Sequence, residues 1–70
     1  MQNNISKLIA YKIRKLREER GISQEKLAAE SGLHRTYIGM VERCEKNITV
    51  ISLEKIASAL NVELTELIHE

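Results

Sequence analysis

The stretch over residues 24–43, QEKLAAESGLHRTYIGMVER, constrains this chain more than any other part of it. Leu27, Ile38 and Val41 recur at helical spacing on either side of Gly32, and Leu33 stands between the two runs. Two helices crossing at roughly 90–120° around a turn of three to four residues need such a set. Ala28 is small where the helices must approach. Gly32 tolerates the positive φ that the turn requires. The apolar residues fill the crotch. The pattern predicts a helix-turn-helix, although an ordinary αα-hairpin in a bundle would draw on the same residue types.

The rest of the chain supports an all-α reading. Seventy residues make one domain at most, and they include no Pro, Trp or Phe, only two Tyr and three Gly. A β sandwich needs more turn residues and more aromatic or β-branched positions than that. A chain of this length buries only about 60% of its unfolded surface, so further burial from a partner chain is expected.

Five helices are predicted in one domain, over about 5–20, 24–31, 35–43, 50–60 and 64–69. Ile5, Leu8, Ile9, Ile13 and Leu16 make one apolar stripe on the first, and Gly21 ends it as a left-handed cap. Ser23 and Thr49 are N-caps for the second and fourth. Leu53, Ile56, Ala57 and Leu60 share a face of the fourth, which Asn61 ends. The short fifth carries Leu64, Leu67 and Ile68.

The outward face of the third helix points toward function. Thr36, Met40 and Arg43 lie opposite Ile38, flanked by Arg35 and Gly39 on one side and Tyr37 on the other. A merely solvated face would be rich in Glu and Lys, whereas this one carries no acid before Glu42. Arg bonds two acceptors of a guanine, and Thr and Met touch a thymine methyl. Gly39 weakens the helix but allows a close backbone approach. The set suits a DNA major groove.

Charge adds an asymmetry beneath a net +1. Residues 1–46 hold ten Lys/Arg and six Asp/Glu, while residues 47–70 hold one Lys and four Glu. A polyanion partner on the basic side would account for it, as would a solvated helix surface. No apolar run approaches the ~20 residues of a membrane span, and residues 1–10 do not read as a signal peptide. The single cysteine, Cys44, allows no internal disulfide and fits a reducing cytoplasm. A cytoplasmic protein without a membrane partner is expected.

The residues IRKLREERGISQEKLAAESGL, YIGMVER and SLEKIASALNV together resemble the phage-repressor-like (Cro/repressor, or XRE) helix-turn-helix family over nearly the whole chain. The Arg35-Thr36-Tyr37-Ile38 opening of the third helix and the Asn47-Ile48-Thr49 step are similar to the controller proteins of bacterial restriction–modification systems. The resemblance implies a compact, lambda-repressor-like fold. It implies base reading by Arg35, Thr36 and Met40, with Tyr37 at the edge on a thymine or the backbone. Ser23, Gln24, Arg43, Lys46 and Asn47 would meet phosphates, and Gln24 could also brace a base-reading side chain. Arg17 and Glu42 would form a structural ion pair. A controller would regulate its own promoter and that of an endonuclease, in contact with RNA polymerase when activating. A phage or plasmid repressor, an antitoxin, or a helical protein-interaction module are the competing readings.

Two positions depart from the family pattern. Cys44 stands where a turn glycine is usual, so that either it takes a left-handed backbone or the turn there differs. His34 stands where a Ser, Thr or Asp cap is common and reads as a poor cap at the surface. No enzyme is expected. The chain has no Asp with which to build a Ser-His-Asp set, its two His and one Cys make no metal spacing, and no phosphate-binding glycine loop exists. No cofactor, metal or small-molecule substrate is expected.

One short recognition helix reads few base pairs, so two related by a two-fold axis, about 34–36 Å apart, are expected on an inverted-repeat operator. The apolar and acidic tail offers the dimer surface, through Asn61, Val62, Leu64, Ile68 and part of the fourth helix.

Overall fold

The computed structural model describes residues 4–69 and is helical throughout its regular elements. Part of the leader reading, on residues 1–3, and the terminal Glu70 lie outside the described residues. The helices are α1 (Asn4–Glu19), α2 (Gln24–Ser31), α3 (Arg35–Glu42), α4 (Val50–Ala59) and α5 (Leu64–Ile68). α1 packs against α3 and α5, α2 against α3 and α4, and α4 against α5. Arg43, Leu60 and His69 cap helices rather than extending them.

Ile13, Leu27, Ile38, Ile56 and Leu67 are fully buried. Burial of each such side chain is worth about 1.5–3 kcal/mol. Ala28 is buried where α2 meets its neighbours, and Ala57 and Leu60 complete the α4 face. The α1 stripe is shorter than its spacing suggests. Ile5 is 54% exposed, Leu8 and Leu16 are half-buried, and the neighbouring Ala10 is buried instead. Helical periodicity marks a face, but the packed neighbours end at Ile9, so the first turn of α1 runs past the core.

The first four helices end in one shared device. After α1, α2, α3 and α4 the chain turns left-handed at Gly21, Gly32, Cys44 and Asn61, with φ of 68°, 72°, 61° and 60°. The next amide then reaches back six residues inclusive: Ile22 to the Arg17 carbonyl, Leu33 to Ala28, Glu45 to Met40 and Val62 to Ala57. This is the Schellman termination, usually sealed by an apolar residue after the left-handed one. Ile22, Leu33 and Val62 supply that seal against the core. The end of α3 has Cys44 in place of Gly and Glu45 in place of an apolar residue.

Helix starts are local too. Ser23 Oγ accepts from the Lys26 amide and Thr49 Oγ1 from the Ser52 amide, both at 3.0 Å. His34 caps α3 after all, its Nδ1 accepting from the Thr36 amide at 3.3 Å. At α5 the Glu63 amide donates to the Glu66 carboxylate at 3.0 Å.

Candidate nucleic-acid interface

The sequence of α3 divides into two sets. Ile38 and Val41 are buried in the core, and Glu42 is tied to α1. Arg35, Thr36 and Arg43 are exposed, and Tyr37 and Met40 half-buried, with Tyr37 leaning on the core. Lys46 and Asn47 are exposed just beyond α3, and Ser23 is exposed at the start of α2. The candidate base-reading and phosphate-meeting residues therefore come from α3, the segment after it and the first turn of α2.

What holds this surface is a polar assembly behind it. Arg17 Nε donates to Glu42 Oε2 at 2.7 Å, and Nη2 donates to Oε1 at 3.0 Å. Arg17 Nη1 donates to the Ile22 carbonyl at 2.9 Å. One guanidinium thus joins α1, the turn before α2 and the end of α3. The pair is well shielded, the Glu42 side chain being 3% exposed and that of Arg17 12%. The bond to Glu42 holds the Arg17 guanidinium above its ordinary pKa, against the opposing effect of burial.

Gln24 joins the same carboxylate, its Nε2 donating to Glu42 Oε1 at 3.0 Å. A residue expected from the sequence to meet a phosphate thus has one amide hydrogen engaged inside the fold. Its second hydrogen and its carbonyl oxygen remain to be used.

The two arginines of the surface each hold an acid. Arg35 Nη1 lies 3.2 Å from Glu25 Oε2 across the α2–α3 gap, with both side chains largely exposed. Arg43 Nε lies 3.0 Å from Glu45 Oε2. The hydrogen bond between these two raises the Arg43 guanidinium and lowers the Glu45 carboxyl from their ordinary values. Exposed pairs of this kind are weak in water, so a phosphate or a base edge competes with them. Sequence reasoning missed both acids as partners: Glu25 meets Arg35 only once α2 and α3 are folded together, whereas Glu45, two residues from Arg43, was there to be seen.

The candidate dimer residues sit apart from this surface. Asn61, Val62 and Leu64 line a shallow groove of α4 and α5 together with Glu54, Glu63 and Glu66. Leu64, Val62 and Ile68 are half-buried against the core, and Leu67 is wholly inside it. The first turn of α4 exposes two adjacent apolar residues, Val50 at 68% and Ile51 at 66%. The sequence reading did not single these out, although two β-branched residues off the Leu53–Ile56 face were there to be seen.

Among the described residues no group of three or more His, Cys, Asp or Glu side chains is placed to hold a metal ion. No described helix is long and apolar enough to cross a membrane.

The helix-turn-helix family model matches residues 13–67. The chain belongs to this family. Its helix-turn-helix is α2 and α3, with α1 and α4 packed around them. Control protein C.SmaI of Serratia marcescens is 46% identical over 65 residues, covering 93% of this chain and 77% of that protein. Control protein C.BamHI of Bacillus amyloliquefaciens is 45% identical over 69 residues, 97% of this chain and 85% of that one. Among solved structures, the restriction–modification controller protein C.AhdI of Aeromonas hydrophila superposes with a TM-score of 0.86. It is 42% identical over 89% of this chain and 94% of its own. C.AhdI is thus similar to this chain in fold as well as in sequence.

Proposed function

We propose that this chain is a transcriptional regulator that binds duplex DNA as a homodimer on an inverted repeat and controls a restriction–modification operon, including its own expression. The observation that carries the reading is the outward face of α3. It presents Arg35, Thr36 and the half-buried Met40, with Tyr37 at the edge against the core and Arg43 at the helix cap, while Ile38, Val41 and Glu42 hold the helix from behind. The likeness to named control proteins supports the operon.

In this reading Arg35 leaves Glu25 to bond O6 and N7 of one guanine, and Thr36 and Met40 meet thymine methyls. Ser23, Gln24, Arg43, Lys46 and Asn47 grip phosphates and set the register. The dimer forms through Asn61, Val62, Leu64 and Ile68, extended to Val50 and Ile51. The extension is argued from charge. The groove beside Leu64 is rimmed by Glu54, Glu63 and Glu66, so two copies meeting there alone would set carboxylates against carboxylates. Val50 and Ile51 bring apolar area without that repulsion. When one dimer activates its promoter, RNA polymerase is the further partner.

The test is DNA affinity measured across salt concentration. Neutralised phosphates release counterions, giving a log–log slope of about −0.9 for each on duplex DNA. A steep slope supports the reading. A flat response sinks it in favour of a protein-interaction module.

A further inference from the structure

Gly39 is buried although it lies in the middle of α3, beside the outward face. A Cβ built there would meet Arg43 Nη1 at 3.1 Å, Gln24 Oε1 at 3.5 Å and Arg43 Cζ at 3.9 Å. The three nearest atoms thus belong to two polar side chains rather than to the core. Gly39 keeps an ordinary helical backbone, so no positive φ explains it. A glycine in a helix interior weakens the helix relative to alanine. The space it leaves is filled by the Arg43 guanidinium.

We propose that Gly39 is a positioning residue for DNA binding: by lacking a Cβ it gives the Arg43 guanidinium a seat against α3, beside Gln24. The guanidinium has two neighbours, an exposed carboxylate that DNA can displace and the bare backbone of Gly39. Glu45 Oε2 holds Nε at 3.0 Å, and Nη1 lies over Gly39. Gln24 is fixed in turn by Glu42, which Arg17 holds. Arg43, at the end of α3, and Gln24, at the start of α2, are therefore presented as one preformed polar surface, with the guanidinium as its donor. A side chain ordered before binding loses less entropy on binding. The contact at 3.1 Å is tight, but it falls on the far end of a flexible side chain. A methyl group at position 39 displaces the guanidinium and leaves the backbone alone.

The consequence for DNA rests on the proposed function, whereas the seat itself does not, and two measurements separate them. Without DNA, ¹⁵N relaxation of the arginine Nε groups reports order directly. In Gly39→Ala the Arg43 Nε becomes mobile while Arg17 Nε stays ordered, and the thermal midpoint does not fall. Equal Arg43 mobility in the wild type and Gly39→Ala overturns the seat.

With DNA, Gly39→Ala weakens binding about tenfold, the scale of one charge-assisted contact. In an Arg43→Ala background the same substitution costs nothing further, because the two residues act as one. A loss that is the same in both backgrounds overturns the proposal, since Gly39 would then be admitting the DNA itself. No loss in the wild-type background overturns it too. Wild-type protein that shows no salt-dependent DNA binding defeats the proposed function instead, and the relaxation measurement still decides the seat.

Discussion

The carboxylate of Glu42, near the end of α3, receives two hydrogen bonds from Arg17, near the end of α1, at 2.7 and 3.0 Å. Glu42 is almost wholly shielded from water. Removal of one partner from such a pair strands the other's charge, whereas replacement of both by apolar groups is often neutral. Arg17→Ala should cost about 3 kcal/mol, the low end for breaking a buried pair because Arg17 keeps some solvent contact. The double variant Arg17→Met with Glu42→Leu should recover most of it. Urea unfolding checks both. A single variant as stable as wild type would show that Glu42 is solvated.

Base reading and phosphate contact have different signatures. Arg35→Ala should cost about 1–3 kcal/mol on the true operator, with far less on random DNA, and should relax preference at one symmetric pair of positions. Lys46→Ala should weaken all duplexes alike and lower the salt slope by about one. Selection from random duplexes distinguishes them. If Arg35→Ala keeps the preferred sequence and loses affinity evenly, Arg35 holds a phosphate.

Dimerisation should respond to Val50 and Ile51 without harm to the fold, because both are about two-thirds exposed. Val50→Glu or Ile51→Glu should shift sedimentation toward monomer and leave thermal unfolding of the monomer almost unchanged. Leu64→Glu should lower both, since Leu64 also packs on the core. A wild-type chain that remains monomeric on its operator would remove the two-fold reading.

The helix-turn-helix was legible because its determinants are local. Ala28, Gly32 and the spacing of Leu27, Ile38 and Val41 state two helices and a turn before any tertiary contact exists, and Ser23, Thr49 and Asn61 mark boundaries in the same way. What was not legible depends on where neighbouring helices stop. Ile5 continues the stripe of Ile9 and Ile13 yet projects past the core. His34 looks like a weak cap by residue type, but its ring nitrogen reaches the Thr36 amide. At the candidate interface the outward residues of α3 followed from helical periodicity alone. The engagement of Gln24 by Glu42 and of Arg35 by Glu25 did not, because each joins residues of different helices.

Cys44 holds φ at 61°, a conformation that a Cβ disfavours by roughly 1 kcal/mol. Cys44→Gly should therefore raise stability by up to about that amount, less the backbone entropy that glycine adds to the unfolded chain. Chemical denaturation measures it. A clear loss of stability would mean that the thiol's own contacts outweigh the strain.

Three of the four matching helix ends are closed by an apolar residue pressed into the core, and the end of α3 closes on Glu45 instead. Glu45, Lys46 and Asn47 are all exposed, and Ile48 is the first side chain after them to return to the interior. The turn between the two helices of the motif is thus among the sealed ends, and the unsealed end is the one beside the proposed phosphate contacts. Groove width varies with base sequence even where no base is touched. A hinge of three solvated residues at that point would let the grip on the backbone adjust to groove shape while α3 itself stays in register.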